Sequence, residues 1–134
     1  MLRRKVYQEL LKWKAKANGK ALCVIGARQI GKTTLIREFG KNEYEHFAEI
    51  NFVTDEKAAD IFKDKLTAEA IITNLTAYLQ TPLEPGKTLI LFDEVQECPA
   101  VRSAIKFLVE DGRFDYIESG SLLGVRYKEV KSYP

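Results

Sequence analysis

A chain of 134 residues has room for one domain of ordinary size around a single buried core, and a multi-domain machine does not fit. A hydrophobic share of 46% beside 30% charged residues is the balance of a folded globular protein and excludes a disordered one. Twenty-one Lys and Arg against nineteen Asp and Glu leave +2, too little for bulk attraction to nucleic acid or to a membrane surface.

Leu2, Val6, Leu10 and Trp13 recur at helical spacing, with Tyr7 and Leu11 beside them and lysines opposite, which predicts a first helix over 1–18 that stops at Asn18-Gly19. Residues 21–26 form a nearly unbroken apolar run, the pattern of a strand covered on both faces in a parallel sheet. Lys32 to Phe39 reads as a helix that Gly40 ends, and His46 to Val53 as a second strand. Asp55 is placed to cap a short helix reaching Phe62. Thr67 is placed to cap a longer one running to about Gln80, with Leu66 and Ile71 as its hydrophobic staple. Pro82, Pro85 and Gly86 force a loop before Thr88–Asp93, a buried strand by its lack of alternation. Pro99 opens a last helix whose Val101, Ile105, Leu108 and Val109 share a face. Gly112 closes it, and Phe114 to Glu118 is the fourth strand. Strands alternating with helices mean βαβ units and a parallel sheet sandwiched by helices, an α/β fold.

The apolar runs fall far short of the roughly 18 residues that cross a bilayer, so no transmembrane helix is expected. Gln8, Glu9, Lys12, Lys14 and Lys16 follow the basic start where a signal peptide would place its apolar segment. Cys23, Cys98 and His46 cannot build a four-ligand zinc site, and free thiols in a reducing cytoplasm are the simplest reading. Trp13 reads as core and His46 as a surface residue at a strand start.

Directly after the first strand comes Gly26-Ala27-Arg28-Gln29-Ile30-Gly31-Lys32-Thr33, a complete G-x-x-x-x-G-K-T followed by a helical pattern. Glycines let such a loop bend round a triphosphate with its N–H groups inward, at the positive end of a helix. Lys32 would reach the β and γ phosphates, Thr33 would place its hydroxyl on Mg²⁺, and Thr34 would lie near the α-phosphate. The alternative is a chance match on a surface turn, and the strand before and helix after weigh against it.

Asp93 and Glu94 end the most apolar strand at its carboxyl end, where open α/β sheets bind ligands. Asp93 there can hold magnesium, while Glu94 can orient the water that attacks a γ-phosphate. Solvated strand-end charges are the plainer reading. The fourth strand ends in Glu118-Ser119-Gly120-Ser121. If it lies between the phosphate-loop strand and the acidic strand, Ser119, or failing that Ser121, would meet the γ-phosphate. Ser-Gly-Ser is equally ordinary turn chemistry.

The segments 26–35 (GARQIGKTTL), 90–99 (ILFDEVQECP) and 119–125 (SGSLLGV) resemble the prokaryotic AAA-type P-loop ATPases in which an amino-terminal ATPase domain precedes a carboxy-terminal domain of unknown function. The resemblance covers essentially the whole chain. It implies a three-layer sandwich of strand order 5-1-4-3-2, with the phosphate loop on Gly26 to Thr34, the acidic pair on Asp93 and Glu94, and a sensor hydroxyl on Ser119. Family members continue past the Ser132-Tyr133-Pro134 segment into a fifth strand, a lid and a further domain. The expectation is therefore a truncated domain over 1–134, with a core at 19–121, a tail at 122–134 and strands in the order 1-4-3-2. The missing fifth strand would leave 21–26 as a hydrophobic edge, covered by the first helix, by the tail or by another copy of the chain.

The implied activity is ATP binding, with Mg²⁺-dependent hydrolysis in the intact cytoplasmic protein. The alternatives are a non-catalytic regulatory module in which nucleotide sets assembly, and a small-molecule kinase using the same loop. The absence of an Asn-Lys-x-Asp guanine reader argues against a GTPase. Arg3, Arg4, Lys5, Lys12, Lys14, Lys16 and Lys20 suggest a nucleic-acid contact, but the near-neutral total assigns them to a solvated helix face.

Overall fold

The computed structural model describes residues 2–16, 19–26 and 30–121. Ala27, Arg28 and Gln29 of the glycine-rich loop and the tail 122–134 lie outside the described residues. The chain runs α1 (Leu2–Lys14), β1 (Ala21–Gly26), α2 (Ile30–Glu43), β2 (His46–Asn51), a 3₁₀ segment (Glu56–Phe62), α3 (Ala68–Leu79), β3 (Thr88–Asp93), a 3₁₀ turn (Val95–Glu97), α4 (Ala100–Asp111) and β4 (Asp115–Ser121). All four strands are parallel, in the order β1-β4-β3-β2. Among the described residues β1 pairs with β4 alone and forms the sheet edge, as the expected order requires.

Every residue of β3 is buried, which is why its sequence shows no alternation. Ile90 and Phe92 join the cluster of Ile71, Leu75, Ile105, Leu108 and Tyr116 beneath α3 and α4. Leu89 and Leu91 face the other way, toward Leu10, Trp13, Ile36 and Phe39 of α1 and α2. The fold is therefore two helical layers on one sheet. No described helix is long and apolar enough to cross a membrane.

Capping chemistry behaves as the sequence implied at several ends. The Thr67 hydroxyl accepts from the Ala70 amide at 3.2 Å, and the Asp55 carboxylate accepts from the Lys57 amide at 3.0 Å. Gln80 and Gly112 close α3 and α4 in the left-handed conformation. Three boundaries differ. Gly40 does not end α2, which runs on to Glu43; it is buried against the Phe47 ring of β2, which a Cβ at this position would strike. β2 stops at Asn51 and not Val53, because the Asn51 side-chain oxygen accepts from the amides of Val53 and Thr54 at 2.8 and 3.0 Å and turns the chain. β4 continues to Ser121, so Ser119-Gly120-Ser121 is strand, paired with Val24, Ile25 and Gly26, and not a turn.

The amino-terminal edge of the sheet carries a knot invisible in the composition. Lys20, read from sequence as part of a solvated basic cluster, is 4% exposed. Its ammonium donates to Asp115 Oδ2 at 3.0 Å and to the carbonyls of Lys14 and Lys16 at 3.3 and 3.4 Å, capping α1 with positive charge. Asp115 also accepts from the Gly19 amide at 3.0 Å and the Tyr44 hydroxyl at 2.5 Å. Burial and this carboxylate together raise the Tyr44 pKa, so it stays a neutral donor. Asp115→Ala would strand a buried ammonium and should cost about 3–5 kcal/mol in urea unfolding, because it breaks one partner of a buried pair. Gly40→Ala should lose roughly 1–3 kcal/mol despite the better helix propensity of alanine, since the Phe47 ring must move; a thermal melt at or above the parent would contradict that packing.

Candidate active site

The carboxyl ends of the strands bring the sequence-marked residues together. In β3 and β4, Asp93 stands opposite Ser119; in β4 and β1, Ser119 stands opposite Val24, two residues before Gly26. Neighbouring strands lie about 4.8 Å apart, so the ends of β1 and β3 are roughly 10 Å apart with β4 between them. Side-chain alternation puts Asp93 and Ser119 on the α1/α2 face, in line with Leu91 and Ile117. The first turn of α2, with Gly31, Lys32 and Thr33, belongs to the same layer.

Lys32 is half-buried, and burial pulls its pKa below the ordinary lysine value. A partly desolvated ammonium gains from an anionic ligand. Asp93 is 5% exposed. Its Oδ1 accepts from the Glu94 amide at 2.9 Å and its Oδ2 from the Asn51 side-chain amide at 3.4 Å. Burial first, and then the charge of Glu94, raise its pKa. Arg37 is close enough to oppose that shift, yet its guanidinium is engaged by Glu49 at 2.6 and 2.8 Å. Among the described residues, Asp93 therefore has no ion-pair partner of its own. A buried carboxylate with no ion-pair partner among the described residues offers hard oxygen donors of the kind that Mg²⁺ takes.

Glu94 adopts a left-handed backbone, φ +58°, uncommon for a residue with a side chain. Its Oε1 accepts from the Gln96 side-chain amide at 2.7 Å. Asn51, Gln96 and Glu118 were missed in the sequence. Asn51 was within reach, because it ends β2 level with Asp93. Glu118 lies fully buried on the α4 face of β4, with neither carboxylate oxygen hydrogen-bonded and the Arg102 guanidinium 3.9 Å away. Desolvation pushes its pKa up to about 7, against a smaller opposing pull from Arg102.

The sign of that shift gives a stability prediction. Below the unfolded value both states hold the proton and Glu118 contributes nothing. As pH rises from about 4.5 toward 7 the unfolded chain releases its proton first, so stability falls and then levels off above about 7. Glu118→Gln should accordingly melt higher than the parent at pH 8, with the difference vanishing by pH about 4.5.

The known proteins that resemble the chain agree with this architecture. An AAA domain family model matches residues 18–134. No curated protein sequence matched. The solved structure of C. elegans PCH-2 superposes with a TM-score of 0.56 at 15% identity, over 95% of this chain and 38% of that one. That likeness concerns the fold, and the chain spans well under half the length of that structure. With the family model running across all four strands, the chain belongs to the AAA domain family, with its ATPase-type fold and nucleotide-binding character.

Proposed function

We propose that residues 1–134 are the ATP-binding P-loop core of a magnesium-dependent ATPase, acting in the cytoplasm. The observation that carries this reading is the register of β1, β4 and β3, which brings Gly26, Ser119 and Asp93 to the carboxyl end of the sheet, where the chain leaves β1 for α2. The backbone amides of 26–34 would wrap the phosphates, with Ala27, Arg28, Gln29 and Ile30 filling the variable positions of the loop. The Lys32 ammonium would neutralise the β and γ groups, and Thr34 would sit near the α-phosphate. Mg²⁺, when bound through Thr33 and Asp93, offsets the negative charge on the phosphate oxygens. Glu94 accepts a hydrogen bond from the attacking water, fixing its lone pair toward the γ-phosphorus as the bond to the β–γ bridging oxygen breaks. The Ser119 hydroxyl meets the γ-phosphate and distinguishes triphosphate from diphosphate. Adenine selectivity rests on the family. Self-association would proceed through the outer edge of β1, which pairs with no second strand among the described residues.

Titration calorimetry with Mg-ATP, Mg-ADP and Mg-GTP tests the reading directly. Binding of adenine nucleotide is expected, and a chain that takes up none would overturn it. Lys32→Ala should weaken ATP binding by roughly 100-fold with an unchanged melting temperature, since the lysine serves the ligand and not the core. Glu94→Gln should leave the dissociation constant intact and slow hydrolysis by about 100-fold or more, the usual worth of a positioned base.

A further inference from the structure

A second group of metal-ligating side chains lies at the end of the sheet away from Asp93. Glu45 precedes β2, His46 opens it, and Glu84 stands in the turn before β3. Their ligand atoms all lie within 4.8 Å of one another. His46 is opposite Thr88 in the parallel pairing, so the group sits about 17 Å along the strands from Asp93. Phosphate binding makes no use of it.

The backbone fixes the two ligand-bearing segments to each other. The His46 amide donates to the Lys87 carbonyl at 3.0 Å, and the Lys87 amide donates to the Glu84 carbonyl at 3.2 Å. Pro85 and Gly86, the latter at φ +79°, make Glu84–Lys87 a tight turn of the type II pattern. The Gly86 amide ties that turn to the Arg113 carbonyl at 2.8 Å. Thr88 Oγ1 accepts from the Glu84 amide at 3.1 Å and donates to its carbonyl at 2.9 Å. On the other segment, the Tyr44 hydroxyl anchors the residue before Glu45 to Asp115.

His46 Nε2 lies 2.6 Å from Glu84 Oε1. The imidazole hydrogen bond, and then the charge of Lys87, hold the Glu84 carboxyl below its ordinary pKa, so it is the acceptor and the ring nitrogen the donor. For an ion to bind between them, the hydrogen of the neutral ring moves from Nε2 to Nδ1 through solvent, and Nε2 and Oε1 become ligands. Ligands about 2.0–2.2 Å from a tetrahedral ion are roughly 3.4 Å from one another. A set spanning 4.8 Å closes to that size by small rotations of side chains that are a third or more exposed. One imidazole with two carboxylates suits a borderline ion such as Zn²⁺, whereas Mg²⁺ prefers oxygen donors alone. The Lys87 ammonium, 3.7 Å from Glu45 Oε2, is the cation with which the ion competes.

We propose that Glu45, His46 and Glu84 form a Zn²⁺ site that clamps the start of β2 to the turn before β3, with water completing the coordination. His46 is the single histidine of the chain, so its ring protons report on the site without overlap. In the metal-stripped chain, with no nucleotide present, Zn²⁺ should shift those NMR signals saturably, and Mg²⁺ at the same concentration should leave them in place. Zn²⁺ held elsewhere, on Asp93 or on the thiols, would leave the ring signals unmoved and overturn the proposal. Glu45→Gln and Glu84→Gln keep exposed side chains of equal size, and each should weaken Zn²⁺ binding by roughly tenfold or more in titration calorimetry. Lys87→Ala should strengthen it by roughly two- to fivefold, the worth of an exposed ion pair. Parent affinity in both glutamine variants would mean an adventitious ion on one imidazole, and sinks the site. The Tm of the parent should climb with Zn²⁺ concentration while that of His46→Ala stays level; equal rises in the two would also refute the clamp. None of these readouts depends on the nucleotide reading, which can fail or stand separately.

Discussion

The molecule depends on one constraint: β4 is hydrogen-bonded in parallel between β1 and β3. Parallel strands share a direction, so their carboxyl ends emerge on one side. The residues that follow or end them, far apart in sequence, arrive at one edge. Sliding β4 by one residue would send Ser119 to the α4 face and expose Tyr116 and Glu118 to the wrong layer. The buried, aromatic-rich packing of Phe92, Tyr116 and Phe114 on one face and of Ile117 with Phe39 and Trp13 on the other fixes the register.

The two edges of this sheet treat charge in opposite ways. At the amino-terminal edge Lys20 and Asp115 are buried together, and the carboxylate is served by backbone amides and the Tyr44 hydroxyl as well. This charge is closed on itself, and its role is to tie α1, α2 and the sheet together. At the carboxyl edge Asp93 lacks an ion-pair partner among the described residues, Lys32 is partly desolvated, and Glu94 shares a single amide donor. Charges held without compensation weaken the fold and suit a site that receives its missing counterparts from a ligand. Glu118 extends the pattern one layer deeper, with a carboxyl group whose ionisation burial defers to about pH 7.

Much of this was legible in the chain. The apolar run 89–92 announced a buried parallel strand because each residue must pack whichever face it meets, whereas in β1 Ala21 and Cys23 are buried and Leu22 and Val24 only half-buried, since that strand lies at the sheet edge. Thr67, Asp55 and Gly112 marked their helix ends because capping is a local contact that needs no tertiary partner. Gly40 misled for the converse reason. A glycine near a helix end looks like a cap until the Phe47 ring on a neighbouring strand is known to occupy the space beside it.

The sequence by itself determined the element types, the parallel class and the order of chemical groups along the chain, since these follow from periodicity, capping and motif spacing over short distances. The tertiary structure alone decided which groups meet. It buried Lys20 against Asp115, 95 positions away, left Asp93 without an ion-pair partner among the described residues while Arg37 pairs with Glu49, and set Gly120 beneath Gln96. Each of these outcomes depends on strand register and on the crossing of layers, and no local pattern encodes the distance between residues that the chain brings together only by folding.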